Sequence, residues 1–65
     1  MNLQYLRTFI KEKIELYPEL KSTIIGYYEL CLSEIEEGGS ETQEVDSAII
    51  DINDEIEDYL KENKK

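Results

Sequence analysis

The stretch from Pro18 to Glu37 restricts the possible folds of this chain more than any other. Wound at about 100° per residue, its side chains Leu20, Ile24, Ile25, Tyr27, Tyr28, Cys31, Leu32 and Ile35 fall within an arc of roughly 160°. One neighbouring helix cannot cover so wide an apolar face. Two can, and an amphipathic segment lies on either side of it. The expected fold is all-α: a single helical domain over residues 1–65, with helices at about 3–16, 18–37 and 41–62. Helices two and three form an antiparallel hairpin in this three-helix bundle, and helix one packs across it.

The flanking segments carry their own periodicity. In helix one, Leu3, Leu6, Ile10, Ile14 and Tyr17 recur at spacings of three and four, with Tyr5, Phe9 and Leu16 on an adjoining line. Tyr17-Pro18 ends that helix, because proline disfavours helical geometry in the residue before it and suits the start of a new helix. Glu19 then places a negative charge in the first turn of helix two. Gly26 interrupts helix two at a cost of about 1 kcal/mol against alanine. It either faces solvent or admits a second backbone at close range.

Gly38-Gly39 stops helix two, with the first glycine suited to a left-handed cap. Ser40 and Gln43 have the spacing of a capping box for helix three, with Thr42 a competing cap. Val45, Ile49, Ile52, Ile56 and Tyr59 then follow a 4-3-4-3 seam, flanked by Ala48 and Leu60. Lys61, Lys64 and Lys65 complement the negative end of that helix.

A 65-residue chain buries only about 60% of its unfolded surface, so small domains commonly add disulfides, a metal or self-association. With one cysteine there is no internal disulfide, and with no histidine the common zinc arrangements are absent. Cys31, on the apolar face of helix two, reads as a small buried hydrophobe and not as a reactive thiol. Well-packed helices, self-association, or both are left. Leu30 and Ile50 point away from the apolar faces of their own helices, and with Tyr5, Phe9 and Leu16 they are the candidate interface residues of a homo-oligomer.

Sixteen acids against seven bases give a net charge of −9, unevenly spread. Residues 1–28 hold four bases and three acids, whereas residues 29–62 hold thirteen acids and one base. Direct nucleic-acid binding is disfavoured by that repulsion, and a basic protein partner, or plain solubility, fits better. Asp51, Asp54, Glu55, Asp58 and Glu62 form one helical face, the candidate acidic docking surface. Arg7 and Lys11, four apart, with Lys21 past the turn, are candidate contacts for an anion.

Catalytic chemistry finds little purchase. Without histidine there is no nucleophilic triad, and no glycine-rich phosphate loop is present. The segment 51–57 imitates a calcium loop by its alternating oxygens, but Ile56 stands where the turn glycine is needed. No cofactor or metal is expected. The opening MNLQYLRTF lacks the apolar core of a signal peptide, and no run approaches a membrane span, so a cytoplasmic protein is expected.

Residues 30–60, LCLSEIEEGGSETQEVDSAIIDINDEIEDYL, resemble small acidic helical proteins of bacteriophage genomes, in which an LC-x-x-EIEEGGS-type helix–Gly-Gly–helix joint recurs. Leu30, Cys31, Glu34, Ile35, Glu36, Glu37, Gly38, Gly39 and Ser40 carry that resemblance. It implies a phage-like origin and action in the host-cell cytoplasm. It carries over no activity.

Taken together, these features point to a non-enzymatic interaction protein that self-associates and binds and modulates another protein. Two alternatives are counter-defence roles: an acidic nucleic-acid mimic acting through the Asp51–Glu62 face, or a sponge for an anionic nucleotide held by Arg7, Lys11 and Lys21.

Overall fold

Residues 3–63, described by the computed structural model, form three helices: α1 (Leu3–Leu16), α2 (Lys21–Glu36) and α3 (Glu41–Glu62). Among the described residues there is no strand. The α2–α3 hairpin makes the most extensive contact, and α1 packs against both of its members, giving a three-helix bundle of 42 × 18 × 17 Å. At 1.5 Å per residue, α3 alone accounts for most of the long dimension.

The chain reverses at Tyr17-Pro18 as expected, but α2 does not begin there. Pro18–Leu20 is a single 3₁₀ turn, and the α-helix starts at Lys21. Tyr17, forced out of helical geometry by the following proline, takes φ −132° and ψ 68°. Its N–H still closes α1 on Lys13 O at 2.8 Å, while its carbonyl accepts from Leu20 N at 2.9 Å. The tight i→i+3 bonds make a corner in three residues where a full α-turn would overshoot. Glu19 therefore belongs to this corner and not to the first turn of α2.

At the other end of α2, Gly38 adopts φ +110°. Gly38 N–H donates to Ile35 O at 3.0 Å and Gly39 N–H to Glu34 O at 2.9 Å, the paired closure of a Schellman motif. Gly39 is needed for a different reason. A Cβ there would lie 2.8 Å from Glu34 O and 3.1 Å from Glu44 Oε2.

Ser40 is the N-cap residue of α3 by backbone geometry, and its carbonyl accepts from Glu44 N at 2.9 Å. Its side chain makes no capping hydrogen bond, so the expected capping box does not form. Ser40, Glu41, Thr42 and Gln43 are all exposed, and water can satisfy the free N–H groups. Glu41 instead reaches across the bundle, where its Oε2 accepts from Leu3 N at 3.2 Å at the positive end of α1.

The core consists of Leu6 and Ile10 from α1, Ile24 and Cys31 from α2, and Val45, Ala48, Ile52 and Ile56 from α3. Leu6, Ile24, Val45 and Ile52 are fully buried. Ala48 lies in the core instead of flanking it, whereas Ile49 and Tyr59 are only half-buried. The buried line of α3 thus shifts from the 4-3-4-3 seam because α3 faces two helices and buries the side chains lying between them. Leu60 is exposed.

Two contacts fasten the lower end. The rings of Tyr17 and Tyr59 meet edge to face, with centroids 6.0 Å apart and planes at 74°. Glu19 lies near the Tyr59 hydroxyl, and this neighbouring carboxylate, with burial, raises the phenol pKa. Beyond it, Asn63 closes α3 through its side-chain amide to Tyr59 O at 2.8 Å. Lys61 pairs with Glu57 at 3.5 Å; Lys64 and Lys65 lie outside the described residues.

The wide face of α2 is covered along its middle. Leu20, Tyr27, Tyr28 and Ile35 pack at the core margin, while Ile25 and Leu32 are half-buried and outside the core cluster. One edge of the face stays open. Gly26 is exposed with no atom within 4 Å of a would-be Cβ, so no second backbone approaches it.

Candidate functional site

The open edge of α2 forms one wall of a groove against α1. Ile10, Ile14 and Ile25 make its apolar floor, with Arg7, Lys11, Glu15 and Tyr28 around them, and it is a shallow groove, open to solvent, of about 420 Å³. This volume is in the range of ligand and side-chain pockets. Arg7 Nε donates to Tyr28 Oη at 2.8 Å, a bond that fixes the guanidinium at the rim and raises its pKa further.

Among the described residues, the Lys61–Glu57 contact is the one ion pair. Arg7 and Lys11 thus make no ion pair among the described residues beside this apolar groove, in a chain with sixteen acids. Lys21 is exposed at the first residue of α2 and lines no part of this groove. The structure brings together two of the three expected anion contacts.

A smaller groove, about 140 Å³, runs between α2 and α3. Cys31 and Ala48 are its buried members, Leu30 its exposed apolar one, and Glu34, Glu44 and Asp51 line it with carboxylates. Burial pushes the Cys31 thiol up, with the charges of Glu44 and Glu41 adding to the effect. Such a thiol is a poor nucleophile. At the groove's edge the Tyr27 hydroxyl donates to Glu55 Oε1 at 3.1 Å, which raises the phenol pKa.

The acidic face runs along α3. Asp51, Asp54, Asp58 and Glu62 are exposed, whereas Glu55 is half-buried and engaged by Tyr27. Asp51 links the face to the smaller groove. The segment 51–57 lies wholly within α3, and the described residues hold no group of three or more His, Cys, Asp or Glu arranged to bind a metal.

Of the candidate interface residues, Tyr5 (52% exposed), Leu16 (64%), Leu30 (55%) and Ile50 (59%) are on the surface. Phe9 is not. It alone of its line on α1 packs half-buried against the core, with Lys13 Nζ 5.4 Å from its ring centre. Tyr5 and Leu16 stand about 16 Å apart along α1 and make no single patch.

Sequence reasoning missed the α1–α2 groove as a site. Its signal was the extreme position of Ile25 on the α2 arc, too far round for the neighbours to bury. The Arg7–Tyr28 bond joins residues on two helices and has no local signature. No family model matches the chain, and no curated protein or solved structure matches it either. Among the described residues, no helix is long and apolar enough to cross a membrane.

Proposed function

We propose that this chain is a non-enzymatic interaction protein that self-associates and binds and modulates another protein. The observation that carries this is the open groove floored by Ile10, Ile14 and Ile25, in a bundle with only eight buried apolar residues among those described. So small a core gains from any further apolar burial, and an apolar surface of this kind is characteristic of contact with another macromolecule. The acidic face of α3 suits a basic protein partner and repels nucleic acid. In this proposal the protein is phage-like and acts in the cytoplasm.

A second function, an acidic mimic of nucleic acid, is favoured by the solvent-facing row of Asp51, Asp54, Asp58 and Glu62. Affinity capture with mass readout at two salt concentrations separates the two. A partner held by apolar contact stays bound at about 0.5 M salt, whereas a mimic's partner is released, because exposed charges are screened within about 3–10 Å over this range. Failure to retain any protein at either salt concentration would count against both.

The nucleotide sponge is less well supported, because Lys21 stands apart from Arg7 and Lys11. A flat melting temperature across nucleotides at millimolar concentration would dismiss it.

A further inference from the structure

We propose that the α1–α2 groove is filled by a second copy of this chain, in a two-fold dimer whose α1 helices cross antiparallel near Lys11. This rests on the self-association proposed above and identifies the surface responsible. Three observations converge on it.

The first is electrostatic. Two molecules of net charge −9 repel each other, yet the groove is built entirely from residues 7–28, within a segment where four bases face three acids. The thirteen acids of residues 29–62 lie in the rest of the chain. Meeting through α1 and the start of α2 is the approach that keeps most of the acids away from the contact. A face-to-face contact through α3 would bring the acidic rows together.

The second is the order of charges along the groove. Arg7 stands at one end, Glu15 at the other and Lys11 between them. Arg7 and Glu15 are about 12 Å apart along the helix and cannot pair within one chain. A two-fold axis at the level of Lys11 sets Arg7 against the partner subunit's Glu15, and symmetry repeats the pair. Arg7 is already held at the rim by Tyr28, leaving its terminal nitrogens free. The Lys11 stem can lie over the isoleucines with its ammonium in water.

The third is the floor. Ile10 is buried, while Ile14 and Ile25 are half-buried around an open volume of about 420 Å³. Two such faces closing on each other would complete the burial of four isoleucines, Ile14 and Ile25 of each copy, and add to the apolar area that a short chain lacks.

The test is sedimentation equilibrium on the full chain from about 1 μM to 1 mM, a range that resolves dissociation constants of ordinary dimers. A monomer–dimer equilibrium is expected. Ile25 is outside the core cluster, so Ile25→Glu should keep the helical circular dichroism while weakening the dimer about a hundredfold. Arg7→Glu and Glu15→Arg should each weaken it roughly three- to tenfold, and the double charge swap should restore it.

A strict monomer at the highest concentration overturns both this interface and self-association. Oligomers unaffected by Ile25→Glu overturn the interface alone and move self-association to another surface, such as that of Leu30 or Ile50. Loss with Ile25→Glu but no rescue by the double swap overturns the antiparallel register.

Discussion

Tyr27 and Glu55 join α2 to α3 through a hydrogen bond of 3.1 Å from the phenol to the carboxylate. That bond is the largest cause of the raised Tyr27 pKa, followed by burial and by the charges of Glu55, Asp51 and Asp54. Only the protonated phenol can donate, so ionisation would break the contact and set two negative charges side by side.

An alkaline loss of stability follows. Tyr27 and Tyr59 have folded pKa values above the ordinary 10.0, and Cys31 above 9.0. Each therefore holds its proton more tightly when folded, and contributes stability in full below its unfolded pKa that is lost as pH rises through the folded one. Urea midpoints should be flat near neutrality and fall from about pH 9–10 upward. Tyr27→Phe should lower stability by about 1 kcal/mol at pH 7 and make the alkaline fall shallower. An unchanged alkaline slope would show that the Tyr27–Glu55 contact does not persist in solution.

The three glycines should respond differently to alanine. Gly26→Ala, in an exposed position within α2 with nothing near the new Cβ, should stabilise by about 1 kcal/mol. Gly38→Ala, at φ +110°, should cost about 1–2 kcal/mol. Gly39→Ala should cost at least as much as Gly38→Ala, because Glu34 O, 2.8 Å from the new Cβ, also accepts the Gly39 N–H and cannot retreat without losing that bond. Chemical denaturation of the three variants gives the ranking directly.

The bundle and its hairpin were legible because the apolar positions of three segments recur with helical spacing, and because Gly38 and Pro18 act through local backbone rules. Ser40 shows where local rules stop. The capping-box spacing is present, but exposed N–H groups can bond to water, so nothing compels the side chain to turn back. Ala48 and Ile49 exchanged roles because period alone does not say how far α3 rotates toward each neighbour. Phe9 went inward for the same reason. Of the site, the charges Arg7 and Lys11 were visible in sequence, but the floor uniting them comes from Ile25 on another helix.

Two isoleucines on α3 offer a sharp comparison. Ile52 is fully buried and Ile50 is 59% exposed, two residues away on the same helix. Ile52→Ala should cost about 2–5 kcal/mol, enough to unfold a small domain. Ile50→Ala should change the monomer's stability by no more than about 0.5 kcal/mol. Thermal denaturation at low protein concentration, where self-association does not intervene, reads the difference.

Cys31 should resist alkylation. It is 3% exposed and its thiol is pushed up by burial beside carboxylates. Iodoacetamide at about pH 8 should modify the native protein at least tenfold more slowly than the urea-unfolded chain. Equal rates would mean that the smaller groove opens readily in solution.

The narrow dimensions of the bundle, 18 × 17 Å across, bear on how it is sensed from a distance. At physiological ionic strength the Debye length is about 8 Å, less than half that width. A molecule approaching the α1 flank then meets an almost uncharged object, while one approaching α3 meets a strongly anionic one. At about 0.01 M salt the screening length grows to roughly 30 Å, and the two flanks merge into a single negative body. Ionic strength thus decides whether this small protein presents itself to its surroundings as two-sided or one-sided.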